Sequence, residues 1–156
     1  MTEPNGCVSE DERLLRMAIE LSMRCVPSPG AFSVGALILQ DGRIVATGYS
    51  REEREDEHAE ETAIRRAQEA GIGLSGATIY SSVEPCSTRL SGRRSCCDRI
   101  LETGIRRVVF ASREPPIFVA GRGAETLRAA SIDVDEPPVL AWLVERINRH
   151  LDWSKR

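Results

Sequence analysis

The sequence predicts an α/β fold, a five-stranded mixed sheet with helices on both faces. Three observations predict it. The continuous apolar run "SVGALIL" suits a strand covered on both faces. The Asp41-Gly42 pair between that run and "RIVATGY" is a hairpin signal. Beyond residue 58, helix-like and strand-like segments alternate, as crossover connections require.

Each element follows in order. Ser9 to Arg24 reads as an amphipathic helix: Leu14, Ala18, Leu21 and Cys25 recur at helical spacing, and Ser9 followed by acidic residues is a cap. "VPSPG" breaks it. The hairpin of "SVGALIL" and "RIVATGY" comes next, then the charged loop "SREEREDE". "HAEETAIRRAQEA" is a helix with Ala59, Ala63, Ala67 and Ala70 for packing and Gly71 at its C-terminal cap. "ATIYSSV" is the third strand, "CDRILET" a short helix closed by Gly104, and "IRRVVFA" the fourth strand. "GAETLRAAS" and "IDVDE" give a further helix and the fifth strand. A helix joins the last two strands, so they are expected to be parallel. A C-terminal helix is expected within residues 137–156, with Pro137 and Pro138 at its start.

Composition narrows the function classes. The chain has 156 residues, 41% hydrophobic and 29% charged, a single-domain length with enough apolar material for a core. Its net charge of −3 gives no basic field for nucleic acid. "MTEPNGCVSEDE" lacks the order of a signal peptide, and no apolar run approaches the roughly 20 residues of a membrane span. The expectation is one cytoplasmic domain over residues 1–156, with residues 1–8 disordered and the five cysteines reduced.

Three features carry chemistry. His58 opens the helix after the hairpin, Cys86 follows the third strand, and Cys96-Cys97 opens the next helix. One imidazole and two thiolates suit zinc, and three protein ligands leave a position open for water, the pattern of a catalytic site. Helix N-termini favour the thiolate form. Glu60, two residues after His58, is the candidate proton shuttle between water, a ring nitrogen and a leaving amine. A lone histidine among carboxylates is ordinarily solvated, and a lone cysteine pair ordinarily packs in a core. Cys7 and Cys25 fit that plainer description. H-x-E followed by P-C and a further cysteine, however, is the pattern of zinc-dependent base deaminases, with the glutamate outside the ligand set.

On these residues the chain resembles the cytidine deaminase superfamily. Within it, "EPCSTRLSGRRSCCDRILETGIRRVVFA" and "VAGRGAETLRAASIDV" look most like the deaminase domain of bifunctional riboflavin-biosynthesis proteins, over roughly residues 10 to 135. The resemblance implies a three-layer α/β/α sandwich around the five-stranded sheet. It implies one zinc per chain on His58, Cys86 and Cys96, with Cys97 packed beneath its helix, and Glu60 as shuttle. It also implies a small aminopyrimidine substrate and a homodimer or homotetramer.

Three departures bear on the substrate. Nine residues separate Cys86 from Cys96, where most superfamily members have two between the zinc cysteines. Ala31 stands where riboflavin-type deaminases carry an asparagine that helps hold the pyrimidine. With "INRHLDWSKR" as the last residues, the expectation is a deaminase domain without the reductase domain of the bifunctional proteins. The expected substrate contacts are Ala31, Phe32 and Ser33 before the first strand, Val83 and Glu84 at the end of the third, and Arg89 and Arg93 in the loop. Guanidinium groups there suit a substrate phosphate, or else pair with the acidic segment "EEREDE". A cytidine- or dCMP-type deaminase, a deaminase of a specialised pathway, and a structural zinc module that binds a partner are the alternatives.

Overall fold

The computed structural model describes residues 7–154. The chain begins with helix α1 (Glu10–Ser22) and the hairpin strands β1 (Gly35–Gln40) and β2 (Arg43–Tyr49). Helix α2 (Ala59–Glu69), strand β3 (Thr78–Val83), helix α3 (Cys96–Thr103) and strand β4 (Arg107–Ser112) follow. Helix α4 (Gly123–Ala129), strand β5 (Asp133–Asp135), a 3-10 turn (Pro138–Leu140) and helix α5 (Ala141–Ile147) complete it.

Local chemistry sets these boundaries. Ser9 caps α1 by accepting from the Glu12 amide at 3.1 Å. Asp41 and Gly42 both take positive φ, which makes the two-residue turn of the hairpin. Gly104 closes α3 in the left-handed region. The C-terminal helix is shorter than expected: α5 ends at Ile147, where the Asn148 side chain turns back onto the Val144 carbonyl. Most of the segment expected to be disordered, residues 1–6, lies outside the described residues; Cys7 and Val8 are exposed.

The strands form one mixed sheet in the order β2-β1-β3-β4-β5. β1 pairs antiparallel with β2 and β3, while β3, β4 and β5 run parallel. The core therefore has two halves. Leu14, Leu15, Ala18 and Ile19 of α1, with Leu140 and Val144, cover Leu37, Tyr80 and Val109 on one face. Ala63, Ile64 and Ala67 of α2, Ile100 of α3 and Leu127 of α4 cover Ile38, Ile79, Val108 and Phe110 on the other. The period of two along β3 and β4 sends neighbouring side chains to opposite layers.

Because β3 and β4 are parallel neighbours, Val83 and Ser112 end at the same edge of the sheet. The loops leaving that edge are where an open α/β sheet places its ligands. Helix α2 reaches the edge through a close approach to β2: a Cβ on Gly48 would lie 2.6 Å from the Ala59 carbonyl.

A polar tie crosses the opposite end of the sheet. The Tyr80 hydroxyl donates to Asp11 at 2.7 Å, and Arg107 donates to both Asp11 oxygens at 3.0 and 2.7 Å. The Arg107 hydrogen bonds hold the Asp11 carboxyl below the usual carboxylate range, against the opposing effect of its partial burial. A depressed carboxylate pKa contributes stability above its unfolded value near 3.9, and that stability is lost as pH falls through the folded value. Asp11→Asn is expected to lower the urea midpoint at pH 7, with the difference from wild type shrinking as both are titrated below about pH 4. A difference that stays constant from pH 7 to pH 3 would refute this account.

Candidate active site

The site is assembled from three element ends. His58 is the N-cap of α2, in extended backbone, and its side chain makes no capping bond, which leaves the ring free to point elsewhere. Cys86 lies just beyond β3 in the "EPC" turn, and Cys96 is the first residue of α3. The α3 N-terminus is fixed by a capping box in which Ser95 and Asp98 satisfy each other's backbone amides.

These ends converge. His58 Nδ1 lies 3.6 Å from Cys86 Sγ and 3.4 Å from Cys96 Sγ, and the three donor atoms all lie within 4.8 Å of one another. A tetrahedral zinc ion with ordinary bond lengths separates bound nitrogen and sulfur by about 3.5 Å. The donor set and its spacing therefore fit zinc, with a fourth position left open. The Cys96 amide donates to Cys86 Sγ at 3.3 Å, a bond that favours a thiolate. Hydrogen bonding from Cys96, helped by His58, pulls the Cys86 thiol well below the usual thiol range. Cys96 is pushed up by that same sharing and by complete burial.

Cys97 is separate from this cluster. Its Sγ faces the carbonyls of Pro85 at 3.5 Å and Gly123 at 3.7 Å, and burial raises its pKa well above the usual thiol range.

Glu60 sits in the first turn of α2, 3% exposed. Its Oε1 accepts from the Ser81 hydroxyl at 2.8 Å, and its Oε2 lies 3.4 Å from Cys96 Sγ. Burial pushes its carboxyl above the ordinary range. A carboxyl in such a place is suited to taking up and releasing a proton.

The cluster opens into a cavity of about 380 Å³. Of the expected contacts, Ala31, Phe32, Val83, Glu84 and Arg89 line it, together with His58, Glu60 and Cys86. Ser33 and Arg93 are not among the lining residues. The loop arginines are engaged with acidic groups. Glu61, almost fully buried, pairs with Arg89 at 2.8 Å, Arg93 at 2.9 Å and Arg99 at 2.7 Å. Arg93 also pairs with Asp56, and Arg89 donates to the Asp56 carbonyl.

Sequence reasoning did not single out Glu114, Phe118 or Arg51, which also line the cavity. Glu114 is pushed up to about 8, first by burial and then by the charges of Cys86 and Glu84. One oxygen of Glu114 and one of Glu84 are buried without a hydrogen-bond partner. A signal for Glu114 existed in the expected topology, since the end of β4 must lie beside the end of β3 if the two are parallel.

Comparison with known proteins agrees with this geometry. Residues 8–112 match the model of the cytidine and deoxycytidylate deaminase zinc-binding region. The chain is 44% identical over 127 residues to the diaminohydroxyphosphoribosylamino-pyrimidine deaminase of Schizosaccharomyces pombe, covering 80% of this chain and 31% of that protein. The chain thus spans about a third of that relative's length. It is 33% identical over 129 residues to the protein of the same name from Buchnera aphidicola, covering 80% of this chain and 82% of that one. Among solved structures, the Aspergillus oryzae Rib2 deaminase in complex with DARIPP superposes with a TM-score of 0.81 at 27% identity, covering 92% of this chain and 93% of that one.

The separation of Cys97 from the cluster has a direct consequence. Cys96→Ser is expected to lose zinc on purification, while Cys97→Ser keeps about one zinc per chain as measured by elemental analysis. The reverse pattern would reassign the ligand.

Proposed function

We propose, from the premise that this chain belongs to the cytidine and deoxycytidylate deaminase zinc-binding family, that it is a hydrolytic deaminase. Its substrate is an aminopyrimidine of the riboflavin pathway, a diaminopyrimidine carrying a ribosyl phosphate, and its products are the oxo-pyrimidine and ammonia. One observation carries the reading. A buried carboxylate, Glu60, lies against a histidine–cysteine–cysteine cluster at the wall of a cavity large enough for a nucleotide-sized base. A structural zinc module has no use for such a carboxylate.

His58, Cys86 and Cys96 would hold one zinc ion per chain. Bound there, zinc supplies Lewis acidity, which lowers the pKa of a water molecule toward neutrality. Glu60 takes a proton from the attacking water as the water oxygen adds to the amine-bearing carbon. The same carboxyl passes the proton to the adjacent ring nitrogen. It then carries the second proton of the water to the amine, which leaves as ammonia. The Ser81 hydroxyl keeps Glu60 Oε1 fixed through these transfers. The backbone at the end of β3, by Val83 and Glu84, lies at the cavity wall, where it can accept from the departing amine. Phe32 and Phe118, edge-on to each other at 5.7 Å, give an apolar wall for a flat base.

The names of the relatives support the substrate class. For the phosphate, the cavity offers Arg51, whose guanidinium is bonded to the carbonyls of Phe32 and Val26, and Arg89, already paired with Glu61. Assembly as a homodimer or homotetramer and a cytoplasmic location belong to the same proposal; among the described residues no helix is long and apolar enough to cross a membrane.

The test is ammonia release from a panel holding the diaminopyrimidine with and without phosphate, cytidine, deoxycytidine and their monophosphates. Glu60→Gln is expected to keep zinc and to lower kcat on the true substrate by about 10²- to 10⁴-fold. Release from dCMP alone would move the assignment to a nucleotide deaminase. Zinc binding with no release from any compound would favour the partner-binding module.

A further inference from the structure

The wall of the cavity formed by Ala31 and Phe32 precedes β1, outside the sheet. The Ala31 amide bonds the Ser28 carbonyl and Arg51 donates to the Phe32 carbonyl, while both Ser33 groups and the Ala31 carbonyl are met by the segment after α5, 115 residues from Ser33 in sequence. Asn148 is fully buried. Its Oδ1 accepts from the Ser33 amide at 2.7 Å, and its Nδ2 donates to the Ser33 carbonyl at 3.2 Å. One side chain thus pairs with both polar groups of Ser33, as a neighbouring strand would. His150 Nε2 lies 3.2 Å from the Ala31 carbonyl. Trp153 donates to the Asn148 carbonyl at 2.9 Å and sets its ring edge-on to Phe32 at 6.0 Å.

A buried amide and carbonyl left without partners are costly, so this stretch would otherwise move to find water. Movement of Ser33 carries Phe32 with it, and Phe32 is both cavity wall and partner of Phe118. We infer that Asn148, assisted by His150, is a positioning residue that holds the 31–33 wall in its substrate-binding shape. The inference rests on the reading of this cavity as the substrate site. Asn148 touches neither the His58, Cys86 and Cys96 cluster nor Glu60, so its effect falls on binding and not on the chemical step.

The experiment compares Asn148→Ala, the milder His150→Ala and the exposed control Arg149→Ala. Three quantities are read: amide hydrogen exchange across residues 28–34, zinc content, and kcat and KM on the diaminopyrimidine monophosphate. Asn148→Ala is expected to speed exchange at Ser33 and to raise KM at least about tenfold. Zinc should stay at one per chain, and kcat should stay within about threefold of wild type. His150→Ala should shift exchange and KM in the same direction by less, and Arg149→Ala should change neither. Should Asn148→Ala fail to fold, His150→Ala carries the test. Unchanged exchange overturns the clamp. Faster exchange with an unchanged KM overturns its role in binding. Joint loss of zinc and kcat overturns the separation from the chemistry. A wild-type protein inactive on the whole panel counts against the deaminase reading, and the exchange arm still decides the clamp.

Discussion

The site depends on one buried carboxylate that performs no chemistry. Glu61 follows Glu60 in α2 and carries its charge into the interior, where it meets three guanidinium groups from the loop after Cys86 and from α3. A buried ion costs several kcal/mol unless well-placed partners satisfy it, so this cluster tolerates little displacement. It ties the helix that bears His58 and Glu60 to the helix that bears Cys96. It adds to the core that Ile64 and Ile100 share and to the Cys97 amide bond on the Cys86 carbonyl, which also hold α3 across the nine-residue excursion between the two cysteines. The long loop and the buried glutamate are therefore best understood together. On the outer side of α2, Arg65 and Arg66 bind Glu52, Glu53 and Glu57 of the preceding loop and hold the approach to His58.

With α2 and α3 tied, the cavity has a defined electrostatic character. Glu60, Glu84 and Glu114 are each held above their ordinary pKa, in every case chiefly by burial. Carboxyls so placed keep a proton more readily than solvated ones, so the cavity wall gathers groups able to take up and release protons beside the His58, Cys86 and Cys96 cluster.

The local signals were legible in the sequence, and the pairings were not. His58, Cys86 and the Cys96-Cys97 pair stood out as candidate ligands because each stands at an element end, and the family resemblance favoured Cys96 over Cys97. Glu60 followed from its spacing to His58. The parallel pairing of β4 and β5 followed from the helix between them; that β3 runs parallel to β4 as well is visible only in the fold. The arginine loop was open to two readings because charge along a chain does not name its partner. Only the fold brings Arg89 and Arg93 onto Glu61 and Asp56. Asn148 was invisible for a related reason. A polar residue in an amphipathic segment reads as surface, yet here it is fully buried against Ser33.

The remaining wall shows why glycine stands where it does in "VAGRGAETL". A Cβ on Gly123 would lie 1.9 Å from the Pro85 carbonyl, and one on Gly121 would lie 2.7 Å from the Glu114 carbonyl. Both contacts are closer than any side chain allows, so only glycine lets α4 dock on the "EPC" turn. That docking brings the Ala124 amide to Glu84 at 3.2 Å and the Gly123 carbonyl to Cys97 at 3.7 Å. The turn that presents Cys86 is thereby held from behind by the backbone of α4 through the Glu84 carboxylate and the Cys97 thiol. The motif after β4, far from the histidine and cysteines in sequence, is thus as much a part of the site as they are.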